Sequence, residues 1–410
     1  MSPPIRGGAV LLAMVGLIGL PPGGARQSSG DDYPQWRGIH RDGSASAFLV
    51  PAQWPDTLTM QWKAEIGAGY ATPIVVGDTV YTFTRQNGHE VATALDAATG
   101  DIVWETGYLA PYEMFSATRA HGEGPKATPL FHRNRLYTHG ISGAVSAFDA
   151  TTGDLLWQVP PPDDQPFFGA AVSPLADGDL VILHPGYGPL TAFDARTGDI
   201  VWTSGGYGVY ASPVIAELGG VHQVVSVAGE HVEGVAVAAG ELLWEYPIDP
   251  QMIHAVSPLV YNDTVLVTGQ NSGVKALRPV KQNGMWNVEV VWETTEVSMT
   301  LSNPVLIADT LFGLSDRSSG QYFALDARSG DVLWLGQPRE AENTAVVKAG
   351  DILFLLNDDA ELIVARASRE AFDPVTRYTV ADSPTWAQPV ISGRRVFVKD
   401  RSSVALWTLD

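Results

Sequence analysis

Along most of the chain, apolar residues come in short runs that alternate with polar ones, and glycine, proline or aspartate cuts each run before it reaches helical length. Alternation with a period of two places side chains on two opposite faces, which is the pattern of half-buried strands. One phrase returns again and again. It reads Ala94-Leu95-Asp96-Ala97-Ala98-Thr99-Gly100-Asp101-Ile102-Val103-Trp104, then Ala147-Phe148-Asp149 through Thr152-Gly153 to Trp157. Further copies run Asp194, Thr197, Gly198, Trp202 and Asp326, Ser329, Gly330, Trp334, with a degraded copy ending at Gly240 and Trp244 and an interrupted one at Trp292.

The phrase predicts a hairpin. Residues before Asp end one strand, Asp accepts from amides further along the turn, and Gly supplies the positive φ that a tight turn needs. The residues leading to Trp begin the next strand. An indole at one fixed place per unit fits a wedge between neighbouring twisted sheets, with an N–H that needs a partner there. A second phrase precedes each copy: a small polar residue, proline, then alternation. It occurs at Thr72-Pro73, Thr128-Pro129, Ser173-Pro174, Ser212-Pro213, Ser257-Pro258, Asn303-Pro304 and Gln388-Pro389. Proline cannot donate to a ladder, so it belongs at a strand start or a sheet edge, and the innermost strand of a propeller blade is such an edge.

Each unit then runs from inner to outer strand. The expected outer-strand residues are Trp62, Trp104, Trp157, Trp202, Trp244, Trp292, Trp334 and Tyr378, with successive spacings of 42, 53, 45, 42, 48, 42 and 44. These are four-stranded blades, eight in all: an all-β, eight-bladed β-propeller over 57–410. The chain ends before its last blade has an outer strand, while Leu58–Ile66 around Trp62 is an outer strand with no earlier partners. Pairing the two closes the ring and removes the long exposed edge. On this reading, deleting 57–66 costs far more stability than deleting 26–40.

Composition sharpens the picture. The 42 glycines, 28 prolines and 12 tryptophans favour turns and strands over helices. A formal charge of −20, without any Lys/Arg stripe, argues against nucleic acid. The chain has no cysteine, which excludes disulfides, thiol catalysis, cysteine metal sites, covalent haem and a lipoprotein anchor. Residues 1–25 read as a signal peptide: Arg6, an apolar run Gly8–Leu20 of 13 residues, then small residues up to Ala25. That run is short of the ~20 residues that span a bilayer. A soluble, monomeric protein in the periplasm or secreted is expected, with 26–56 as an N-terminal extension whose Trp36, Arg37 and Arg41 cap a channel mouth or lie along the rim.

The repeat resembles that of the pyrroloquinoline quinone (PQQ) propeller superfamily, which includes quinoprotein alcohol dehydrogenases and a barrel-assembly lipoprotein of the bacterial outer membrane. Tyr33–Ser44 and Gly124–Pro129 resemble segments of exported PQQ-like repeat proteins. The resemblance implies the fold, and PQQ with Ca²⁺ as a possible cofactor. In the family's dehydrogenases it also implies a vicinal cysteine pair, calcium ligands and an aspartate base, none of which has a matching motif here. No metal motif is formed by the nine histidines, and His132 and His139 are expected on the surface near strand ends. Asp163-Asp164 and Asp358-Asp359 are expected to cap turns.

Loops from each outer strand to the next inner strand converge on one mouth of the channel. The long connection 105–127 brings Tyr112, Arg119, His121 and Lys126, and the other connections add Tyr70, Phe168, Tyr210, His254, Asn303, Asn343 and Trp386. Aromatic and amide groups around a funnel suit a planar or sugar-like ligand. Three functions follow: a binding or scaffold propeller for a protein or glycan, a PQQ-dependent oxidoreductase with unusual contacts, or an envelope assembly factor.

Overall fold

The computed structural model describes residues 32–45, 47–116, 121–208 and 210–410. The signal segment 1–25 and Arg119 lie outside the described residues. The strands form eight antiparallel sheets of four. Blade one comprises Ile74–Val76, Thr79–Gln86, His89–Asp96 and Ile102–Leu109, and blades two to seven follow in chain order. Blade eight is shared: Val390–Ser392, Arg395–Lys399 and Ser403–Thr408 are completed by Thr59–Glu65, which pairs from Thr59↔Thr408 to Glu65↔Ser403. The N-terminal strand closes the ring.

The repeated phrase acts across blade boundaries. In blade one, Asp96 Oδ1 accepts from the amides of Ala98 and Thr99, both at 2.9 Å, which tightens the turn and presents the carbonyl of Ala97 outward. The indole of the preceding blade donates to that carbonyl: Trp62 Nε1 to Ala97 O at 3.2 Å. The same contact joins Trp104 to Ala150, Trp157 to Ala195, Trp202 to Val237 and Trp292 to Ala327, at 2.9 to 3.2 Å. The turn glycine lies flat against the same indole. At Gly198, with φ +79°, an added Cβ would stand 2.7 Å from the Trp157 ring. The recurring turn and tryptophan of one repeat therefore serve different interfaces, and each of these five indoles is held by the turn of the next blade.

Where the phrase is degraded the latch changes. Blade five replaces the turn with a long hairpin, Gly273–Gln282 and Met285–Thr294. Trp244 then turns back to Gln223 Oε1 of its own blade at 2.5 Å, and Trp286 of the hairpin packs over blade four. Trp334 donates to Ser368 O, and Tyr378 reaches Pro55 O at 2.8 Å.

A second belt surrounds the channel. Residues before the inner-strand prolines join neighbouring blades: Thr128 N donates to Ser173 Oγ, Ser173 N to Ser212 Oγ, Ser257 N to Asn303 Oδ1 and Gln388 N to Thr72 Oγ1, at 2.9 to 3.0 Å. These side chains satisfy edge amides that would otherwise be stranded at the channel wall.

Residues 33–45 lie against the inner strands, with Arg37 and Arg41 buried and Ile39 exposed. Tyr33 pairs with Val75. The segment turns at Trp36–Arg41 and leaves beside Lys348, whose amide donates to Gly43 O at 2.8 Å. Arg37 is 1% exposed and donates to Pro304 O at 2.6 Å; Arg41 holds Ser173 O and Pro174 O at 3.1 and 2.9 Å. This finger touches inner strands from several blades, so deleting 26–40 removes a buried plug and carries a cost that the sequence reading did not allow for.

Blade interfaces also bury polar groups. His139 is fully buried, not a surface residue as expected: one ring nitrogen lies 2.8 Å from Val172 O, and Nε2 accepts from Gly186 N at 3.2 Å. His184 bridges Gly188 O and Ser226 Oγ. Burial pushes both imidazoles down to about 4, so they pack as neutral rings. Asp358 and Asp359 do accept from backbone amides, those of Asn343 and Glu361. Glu233 accepts from Gly206 N of the neighbouring blade at 3.2 Å, and its Oε1 has no partner. Burial raises its pKa to about 7, with Glu245 pushing the same way.

Two predictions follow from these interfaces. Gly198→Ala must meet both a positive φ and the Trp157 indole, whereas Gly178→Ala meets a positive φ with nothing within 4 Å. Gly178→Ala should cost about 1 to 2 kcal/mol and Gly198→Ala clearly more, by urea unfolding; equal losses would contradict the latch. For Glu233, the folded protein holds a proton that the unfolded chain releases near its ordinary pKa of about 4.5, so the group costs stability increasingly as pH rises from there to about 7 and no further above it. The full cost is at most about 3 kcal/mol. Glu233→Gln should unfold at a higher temperature than wild type, by a margin that grows from pH 5 to 7.5; a constant margin would refute the assignment.

Candidate functional site

The connections into the inner strands converge on a funnel of about 340 Å³. Its floor is Trp36, raised on the finger and donating through Nε1 to Ser257 Oγ at 3.4 Å. Its walls carry Tyr70, Phe168, Tyr210 and Trp386, and its polar lining is His121, Lys126, Asn303 and the belt serines. The finger thus closes the channel beneath the funnel.

Local structure explains how Lys126 arrives there. Gly124 has no room for a Cβ, which would stand 2.4 Å from Ala68 O, and Pro125 O accepts from the amides of Tyr70 and Ala71 at 2.9 and 3.0 Å. This clip fixes the next residue, and Lys126 Nζ donates to Phe168 O at 2.6 Å. Burial lowers the Lys126 pKa to about 8. His121 meets Trp386 edge to face, with centroids 4.7 Å apart. Its pKa is lowered by burial and then by the Lys126 charge, against an upward pull from Glu342. On the opposite wall Phe168 and Tyr210 lie 6.3 Å apart, and burial raises the Tyr210 hydroxyl.

Of the residues expected at the mouth, the structure brings together Tyr70, His121, Lys126, Phe168, Tyr210, Asn303 and Trp386. Tyr112 stands apart: its hydroxyl donates to Pro166 O at 2.8 Å and ties two rim loops. His254 packs on Gly269, with ring nitrogens 3.1 Å from Asp249 O and 3.4 Å from Thr268 O, and lines a separate recess of about 270 Å³ with Asp249 and Lys275. Asn343 is buried against Ser302. Sequence reasoning placed Trp36 at a cap and read the belt serines only through their prolines; the Ser-Pro spacing carried the missing signal.

Comparison with known proteins agrees with the propeller fold. A sequence profile of the PQQ-repeat family described as outer membrane protein assembly factor BamB matches residues 87–336. The chain belongs to this family. It is 23% identical over 322 residues to the outer membrane protein assembly factor BamB of Shewanella oneidensis, covering 74% of this chain and 67% of that protein. Among solved structures, BamB from Moraxella catarrhalis aligns with TM-score 0.63 and 15% identity over 86% of this chain and 98% of that one. A europium-containing methanol dehydrogenase aligns with TM-score 0.67 and 12% identity, over 90% and 89%. The quinohemoprotein alcohol dehydrogenase of Comamonas testosteroni aligns with TM-score 0.63 and 13% identity, over 92% and 80%. At these identities the structural likeness speaks for the fold alone.

In this BamB-family propeller the residues present do not fit PQQ with Ca²⁺. No carboxylate stands among the described residues lining the funnel. No group of three His, Asp or Glu side chains able to hold a metal ion occurs among the described residues. Hard cations such as Ca²⁺ take six to eight oxygen ligands, carboxylates foremost.

Proposed function

We propose that this protein is an exported binding or scaffold propeller of the bacterial envelope, without a quinone active site, and that the aromatic funnel seats its protein or glycan partner. The observation that carries this reading is the aromatic recess of about 340 Å³, which has Trp36 of the finger among its lining residues and no carboxylate. Flat aromatic walls stack on a ligand face, and hydroxyl and amide groups at the floor fix its orientation. Membership of the BamB family supports the envelope setting. It also supports a second reading, an assembly factor in which the ring holds a partner protein.

The test is a titration of the purified protein with soluble envelope glycan fragments and peptides, followed by tryptophan fluorescence. Saturable binding should be lost in Trp386→Ala/Tyr210→Ala and kept in His254→Ala. Loaded with PQQ and Ca²⁺ and given alcohols or aldoses, the protein should reduce no dye. Saturable dye reduction, or binding indifferent to the double substitution, would overturn the reading.

A further inference from the structure

The chain carries 45 aspartates and glutamates against 25 lysines and arginines, yet no described residue lining the funnel is acidic. Hydrogen-bond donors line it instead. Lys126 spends one N–H on Phe168 O and keeps two more to give. The hydroxyl oxygens of Ser173 and Ser212 accept from the belt amides, which leaves each hydroxyl proton to donate. Asn303 accepts from Ser257 N through Oδ1 and donates one Nδ2 hydrogen to Leu301 O at 3.3 Å, which leaves its second N–H to give.

Positive charge lies directly beneath. Arg41 grips the carbonyls of Ser173 and Pro174, the backbone of the floor itself, and Arg37 grips that of Pro304. Neither forms an ion pair among the described residues, since Asp42 pairs with Lys348 at 2.7 Å. Each guanidinium keeps one buried N–H without a partner, Arg37 Nη1 and Arg41 Nε. Two buried, unpaired cations under an apolar floor project a field that bulk water screens weakly. Opposing charge comes from Glu342, which acts on His121, from Asp400, which acts on Tyr70, and from Asp42, which acts on Arg37; none of the three lines the funnel.

We propose that the funnel recognises the carboxylate end of a ligand with a flat or apolar body. The carboxylate sits at Lys126 and the belt hydroxyls, and the body lies against Phe168, Tyr210 and Trp386. This rests on the funnel being the binding seat, and it goes further by assigning the chemistry of the group bound there. A donor-rich, acceptor-poor floor over positive charge rewards an anionic acceptor, leaves a neutral hydroxyl only partly matched, and repels an amine.

The experiment compares 3-phenylpropionate, 3-phenylpropan-1-ol and 3-phenylpropylamine by ligand-observed NMR and calorimetry at pH 7. The acid should bind at least about tenfold more tightly than the alcohol, and the amine most weakly. Lys126→Met should remove most of the preference for the acid over the alcohol, whereas Trp386→Ala should weaken acid and alcohol alike and keep the preference; a preference that survives Lys126→Met would overturn the carboxylate assignment. N-acetyl-Ala-Ala-Leu with a free or an amidated C-terminus separates a polypeptide end from a small acid: the free form should bind and the amide should not, and the tighter of the two acids names the source. Equal binding of acid and alcohol would overturn the carboxylate assignment and leave the funnel as a seat. Binding by none of the probes would overturn both.

Discussion

The ring depends on the hydrogen bond from an outer-strand indole to the carbonyl of the next blade's turn. One such bond contributes only about 1 kcal/mol net. Its weight comes from position: the N–H sits on a ring that fills the space between two twisted sheets, so the bond fixes where a large buried surface lies. The turn glycine lets the backbone come flat against that ring, and the turn aspartate orients the carbonyl. Trp62 makes this bond to Ala97 from the strand that pairs with Ser403–Thr408, and so holds blade eight, where the two ends of the chain meet, against blade one.

From that closure the functional geometry follows. A closed ring holds its inner strands at fixed separation, and the Ser, Thr, Asn and Gln belt ties them at the channel wall. The channel is then a defined socket for the finger, whose arginines are matched to carbonyls at the strand starts. The funnel is therefore a property of the whole ring, although its walls come from loops that are unrelated in sequence.

Much of this was legible in the residues. Blade number, closure by the N-terminal strand and the outer position of each tryptophan all follow from a period-two pattern punctuated by a recurring turn. The mouth residues Tyr70, Phe168, Tyr210, Asn303 and Trp386 were legible because each stands just before an inner strand. The finger was not: Arg37 meets a carbonyl 267 positions away in blade six and Arg41 carbonyls 132 and 133 positions away in blade three, and no local pattern announces them. His139 and Glu233 were missed for a related reason. Alternation says which face of a sheet a residue occupies, but in a propeller both faces are covered by neighbours, so a polar residue is buried on either one. His254 points away from the funnel because Gly269 leaves it a niche between blades.

The family shared with BamB and the fold shared with quinoprotein dehydrogenases reflect this division of labour. The repeat builds the ring, and the chemistry belongs to the loops and to whatever occupies the channel. Hydrogen exchange at the indole N–H groups tests the central claim most directly. The Nε1–H of Trp62 should exchange as slowly as those of Trp104, Trp157, Trp202 and Trp292, because all five open only when blades separate. A Trp62 N–H that exchanges orders of magnitude faster than the other four would show that the N-terminal strand does not latch the ring.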